Sequence, residues 1–251
     1  MLPPGSSKGK SLFVNLLPYL GKTELWQRVD YSDENGAAFL MPISISTYNC
    51  PSDPTPRVIT ITVGKSAKPV AGANYSACSG VWLGDAGFNG LFRTLKRTSY
   101  YDSGPVTVAQ ITDGMANTAA VSEIRRANGV SRRLTVAWQT PKGFGKGELE
   151  ALCAVCAGLP ADPSAFGWRG SPWRGLRWFE ADYSATLYNH ALTPDNPTCL
   201  NGNAVLSALS TATSYHPGAV NLLYGDGHIG QVDRGIDILV WRRLGGRDDG
   251  S

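Results

Sequence analysis

Long apolar runs are missing from this 251-residue chain. None approaches the roughly 18 to 20 residues that a membrane-crossing helix requires. The opening Met1-Leu-Pro-Pro-Gly has neither the basic start nor the apolar centre of a signal peptide, so no targeting segment is expected in the chain itself. Charge is sparse, at 17% of residues, and the net +3 is scattered over residues 93–97, 125–133, 169–177 and 242–247. A scattered excess gives a mildly basic solvated surface, which argues against nucleic acid as a partner. No G-x-S-x-G occurs, so the strained turn that presents a hydrolase serine is not encoded. In GSSKGKS (5–11) only three residues separate Gly5 from Gly9, one too few for a phosphate loop, and no apolar strand precedes it. There is no internal repeat and no low-complexity tract.

What is present describes a folded chain. Apolar residues make up 42%, with seven Trp and ten Tyr, while 29 Gly and 16 Pro imply much loop and turn. The length suits one globular domain over 1–251, with a flexible segment at 1–10 and a C-terminal half at 105–251. SLFVNLLPYLGKTELWQRV (11–29) has helical apolar spacing that Pro18 should kink or split. NCPSDPTPR (49–57) is loop by composition, and RVITITVG (57–64) alternates as a strand. Residues 74–92, rich in glycine and aromatics, read as loop with short strands. VTVAQITDGMANTAAVSEI (106–124) starts as a strand, turns at Asp113-Gly114 and resumes apolar at Ala119. LTVAW (134–138) reads as a strand, GELEALCAVCAGLP (147–160) as a helix, and AVLSALSTA (204–212) as a short helix. The aromatic, Arg-rich stretch 168–197 is expected to be irregular, with 168–179 either a contact surface or core filling. In DRGIDILVWRRLGG, Asp233 can cap a helix whose stripe is Ile236, Leu239, Val240 and Leu244. Runs of short strands with separate helices indicate an α+β fold.

Five cysteines, Cys50, Cys78, Cys153, Cys156 and Cys199, allow at most two disulfides. Cys153 and Cys156 form a C-x-x-C without a second half. A four-ligand zinc site would need Cys199 and His190 to arrive through folding. The pair also lies well inside its helix, away from the terminus where a redox pair sits. Two small apolar residues on one helix face are the simpler reading.

SYHPGAVNLLYGDGHIGQV (214–232) holds His216, Asp226 and His228 among apolar residues. As a hairpin turning on Asp226-Gly227, it places Gly225 opposite His228 and carries residues 219–224 about 20 Å from the turn, at about 3.3 Å per residue. His216 is then far from Asp226, which rules out a dyad inside the hairpin. Asp226 should accept backbone N–H bonds, and Gly227 should supply a positive φ. Asp226 and His228 are the remaining candidates for metal ligation.

His216, nine residues, then Asp226-Gly227 resembles the C-terminal signature of the prepilin-type processing-associated domain, found in a bacterial family of pseudopilin-like proteins of unknown function. LLPYL (16–20), CPSDP (50–54), ITDGMANT (111–118), YNHALTPDNPTCL (188–200) and IDILVWRRLGGRDDG (236–250) also match that family's stretches, in its order. In the family a Ser is usual where Ala116 stands here. The resemblance implies a globular head with an antiparallel β-sheet, short helices and long loops, carried on a long apolar helix after cleavage of a leader. By this resemblance the chain is a non-enzymatic surface or type II secretion-like assembly subunit located outside the cytoplasm. Its partners would be other pilin-like subunits or cell-surface proteins, without cofactor, and membrane contact would come only through an N-terminal helix that this sequence, starting at LPPG, does not include. His216, Asp226 and Gly227 match the signature with no role attached. The alternative is a metal-dependent binding module or hydrolase using Asp226 and His228.

Overall fold

Apolar side chains alternate between two faces along most strands, and that alternation fixes how the layers stack. The structure, a computed structural model, describes residues 6–7, 9–33, 35–63, 65–81, 89–92, 105–130, 132–145 and 147–250. The chain runs through β1 (Ser6–Ser7), β2 (Lys10–Ser11), α1 (Leu12–Leu16) and α2 (Thr23–Gln27) to β3 (Val58–Val63), β4 (Ser66–Ala71) and β5 (Tyr75–Cys78). There follow β6 (Ala119–Glu123), β7 (Ala137–Gln139), α3 (Leu149–Ala157), β8 (Gly170–Ser171) and β9 (Leu187–Tyr188). The last elements are β10 (Thr198–Asn201), β11 (Ala204–Leu209), β12 (Ala219–Tyr224), β13 (Ile229–Asp233) and α4 (Ile238–Gly245). The fold is α+β, as the sequence indicates.

A five-stranded sheet in the order β13-β12-β6-β5-β9 is antiparallel except for the parallel pair β5 and β9. A four-stranded sheet in the order β11-β10-β7-β8 has one parallel pair, β7 with β10. Ala77, Leu187 and Leu223 on one face of the larger sheet share a core with Ala137, Leu200 and Ala208 of the smaller one. On the opposite face of the larger sheet, Cys78, Tyr188, Val220 and Leu222 pack with Trp241 of α4. The smaller sheet turns Trp138, Cys199 and Leu209 toward Leu152 and Cys156 of α3. The layers are therefore α4, five strands, four strands and α3. Around β5 and β9 the larger sheet is covered on both faces, which is why these strands are buried along most of their length. A further core gathers Phe13, Val14 and Leu17 against Tyr48 and Trp178. No helix among the described residues is long and apolar enough to cross a membrane.

Pro18 splits the first helical region as expected: α1 passes into a 3-10 turn at Leu17–Leu20, and α2 starts after Gly21, whose φ is +68°. Within the first ten residues, Ser6–Ser7 pairs with Lys10–Ser11, and Lys10 is buried. Several other expectations need correction. Residues 108–110 form a 3-10 turn closed by a Thr107/Gln110 capping box instead of a strand, because those side chains satisfy the local backbone. The stretch 204–209, read as helical, is strand β11, paired with β10 across the two-residue turn Gly202-Asn203, with Gly202 at φ +63°. A Gly-Asn pair between two apolar runs is a hairpin signal that outweighs the helical spacing. In α4 the cap is Asp237, not Asp233, and the buried side is centred on Trp241 while Leu239 and Val240 face solvent. Trp178 and Arg174 are fully buried, and Trp173 is half-buried under the Arg177 guanidinium 4.3 Å from its ring, so the aromatic loop 168–179 chiefly fills core. In the α3 pair, Cys156 is bonded to Cys199, and only Cys153 behaves as a small buried apolar residue.

Candidate functional site

The hairpin of β12 and β13 turns one residue differently from the expectation. Tyr224, not Gly225, faces His228, leaving a three-residue loop in which Gly227 N–H bonds the Tyr224 carbonyl at 3.0 Å. Gly227 has φ +96°, as the turn requires. Asp226 accepts from the backbone N–H of His228 at 3.0 Å, and its Oδ1 lies 2.7 Å from His228 Nδ1. These bonds, the backbone one foremost, hold the Asp226 carboxyl below its usual range. The His228 ring stacks on Tyr224 at 4.3 Å, and the Asp226–His228 pair stands on the exposed surface.

His216 is elsewhere, as strand geometry requires. It lies in the bend before β12, its N–H donating to Ser214 Oγ at 3.1 Å and its carbonyl accepting from Arg234 Nη2 at 2.5 Å. Arg234 is itself paired with Asp195 at 2.7 Å. The imidazole Nε2 lies 3.1 Å from Glu123 Oε1 and 3.7 Å from Cys50 Sγ.

Glu123 closes β6 and is 4% exposed. Its Oε2 accepts the Asn221 backbone N–H at 3.0 Å, and its Oε1 accepts from Asn221 Nδ2 at 3.1 Å. Cys50 follows the 3-10 turn Ser46–Tyr48 and donates its N–H to Asn74 Oδ1 at 3.1 Å. Asn74 also donates to Asp53 Oδ2 at 2.5 Å, and that carboxylate pairs with the buried Arg126 at 3.0 Å. Tyr75 pairs with Glu123 across the sheet, and burial first, then Cys50 and Glu123, push its phenol up. Thiol, carboxylate and imidazole thus converge from three segments, with their donor atoms within 4.8 Å of one another. Among the described residues this is the group of three whose side chains could share a metal ion.

The third histidine has another kind of role. His190 is fully buried, stacked on Trp241 at 3.7 Å, with Nδ1 at 2.6 Å from the Trp241 carbonyl and Nε2 at 3.1 Å from Tyr188 Oη. Burial pulls its pKa down to about 3, so the ring is neutral and serves the core. A cleft of about 310 Å³ opens beside Gln139, Phe166, Trp168 and Arg169, apart from all these residues.

Of the residues singled out in the sequence, the structure brings Asp226 to His228 and keeps His216 apart from both. Cys50 and Glu123 were missed as partners of His216. A carboxylate ending the apolar run AAVSE was the available signal for a buried, committed Glu123. Nothing in the sequence joins 50, 123 and 216, which meet only through the pairing of β5, β6 and β12.

These features define an α+β domain of two stacked sheets flanked by helices, with a Cys-Glu-His cluster at a sheet margin. The chain belongs to the family described as "Protein of unknown function (DUF1559)", whose model matches residues 2–239. No curated protein and no solved structure matches it.

Proposed function

We propose that this chain is the non-enzymatic head of a pseudopilin-like surface or assembly subunit, working by protein–protein contact outside the cytoplasm. The observation that carries the reading is the exposed edge of β13. β13 is an edge strand whose Ile229, on the Leu223 face of the sheet, is 72% exposed, while α4, packed on the other face through Trp241, leaves Leu239 and Val240 exposed. An edge strand presents backbone donors and acceptors to an incoming strand, and exposed apolar side chains beside it add area to such a contact. The buried Cys156–Cys199 disulfide agrees with an oxidising compartment. The resemblance of His216, Asp226 and Gly227 to the prepilin-type signature supplies the class of partner, other pilin-like subunits.

The test is made in the producing cell, with a photo-crosslinker at the exposed position 231 of the same strand and an impermeant label on intact cells. Labelling from outside, with cross-links to subunits that carry an N-terminal apolar helix, is the expected result, and Ile229→Lys should remove those cross-links without lowering the protein's Tm. Protein confined to the cytosol, or no cross-link at position 231, overturns the reading.

A further inference from the structure

We propose that Cys50, Glu123 and His216 bind one zinc-type divalent cation through thiolate sulfur, carboxylate oxygen and imidazole Nε2, with a fourth position facing solvent. This inference is independent of the assembly role, and it concerns residues other than the Asp226–His228 pair.

The donor set is the first argument. Sulfur, nitrogen and oxygen ligands together suit a borderline cation such as Zn²⁺, and suit neither Ca²⁺ nor Mg²⁺, which take oxygen alone. Spacing is the second. A tetrahedral zinc with bonds of about 2.3 Å to sulfur and about 2.0 to 2.1 Å to nitrogen and oxygen puts nitrogen about 3.3 Å from oxygen and about 3.6 Å from sulfur. In this protein Nε2 lies 3.1 Å from Glu123 Oε1 and 3.7 Å from Cys50 Sγ. Two of the three edges therefore already lie close to those of a coordination tetrahedron, and the third, from Cys50 Sγ to the Glu123 carboxylate, is within 4.8 Å.

The third argument is the support around the ligands. Glu123 is held by two bonds from Asn221, Cys50 by Asn74, and the His216 backbone by Ser214 and Arg234. Ligands fixed in this way lose little freedom on binding. Cys50 and Glu123 are buried, whereas the His216 side chain is 33% exposed, so the cluster reaches solvent on the imidazole side. A cysteine nucleophile is the competing use of the same three residues. It requires the thiol on one imidazole nitrogen and the carboxylate on the other, so that the base is oriented while it takes the proton. Here both partners meet the same nitrogen, as ligands of one ion do.

The experiment uses the full chain, stripped with chelator, with Cys50 reduced and the disulfide intact, and titrated with Co²⁺ and then with Zn²⁺. One equivalent of Co²⁺ should bind with a thiolate-to-cobalt charge-transfer band, and Zn²⁺ should displace it. Cys50→Ser should abolish the band, and His216→Asn and Glu123→Gln should each weaken binding roughly tenfold or more. An Asp226→Asn/His228→Asn double variant should bind as the parent does. Circular dichroism of each metal-free variant checks folding, and the half-exposed His216→Asn decides the matter if the buried variants do not fold. The proposal fails if no band appears, if His216→Asn binds as tightly as the parent, or if the double variant loses binding.

Discussion

A carboxylate and a guanidinium without solvent, Asp53 and Arg126, meet at 3.0 Å beneath the Cys50 loop, and Arg126 also donates to the Thr55 carbonyl at 2.5 Å. Truncating one partner leaves the other charge buried and unpaired, so Asp53→Ala should destabilise the fold by about 3 to 5 kcal/mol. A urea midpoint that hardly moves would refute the assignment. A second change, Arg126→Met, should recover part of the loss because no orphan charge then remains. His190 gives the pH dependence. In the unfolded chain the imidazole gains a proton below about 6.5, whereas in the folded chain it does so only near 3. Between those values the unfolded state holds more protons, so stability falls as pH falls, by up to about 1.4 kcal/mol per pH unit, and levels off below pH 3. The difference in urea stability between the parent and His190→Gln, followed from pH 7 to pH 3, should show this slope in the parent alone.

Among the elements, the β12–β13 hairpin shows how close a sequence can come and where it stops. Asp226-Gly227 between apolar runs announces a turn, but a two-residue and a three-residue loop share that signal. The choice falls to the register that β12 must keep with β6, where a bulge lies between Leu223 and Tyr224. Because the three-residue loop puts Gly227 at φ +96°, Gly227→Ala should cost about 1 to 2 kcal/mol. Thermal denaturation checks this, and an unchanged Tm would mean that the turn relaxes. The error at 204–209 has the same origin, since Leu206 and Leu209 satisfy a helical stripe and a strand equally until β10 supplies the partner.

For the molecule as a whole, the Cys156–Cys199 bond ties α3 to the four-stranded sheet across 43 residues of sequence. Closing a loop of that size restricts the unfolded chain by about 4 kcal/mol. Cys156→Ala/Cys199→Ala should lose stability on that scale in urea, and reductant should bring the parent down to the variant's level without affecting the variant. An unchanged midpoint would show that the bond closes no loop that matters. The two stacked sheets also explain why the aromatic stretch 168–179 cannot be assigned from composition. Trp178 and Arg174 have the residue types of a binding surface, yet one donates to the Ile43 carbonyl and the other to the Thr211 carbonyl inside the fold.

By itself the sequence determined the α+β class, the helix break at Pro18, α3 with its end at Gly158, the β3 strand, the Asp226-Gly227 turn and the separation of His216 from Asp226. Each of these follows from local sterics, from periodicity, or from the fixed rise of a strand, and so is written within a few residues. Only the tertiary structure decided that Cys156 joins Cys199, that His190 is sealed against Trp241, and that Cys50, Glu123 and His216 share one point. Those meetings depend on which strands pair and in what register. Contacts between distant segments set that register, and the local sequence does not encode them.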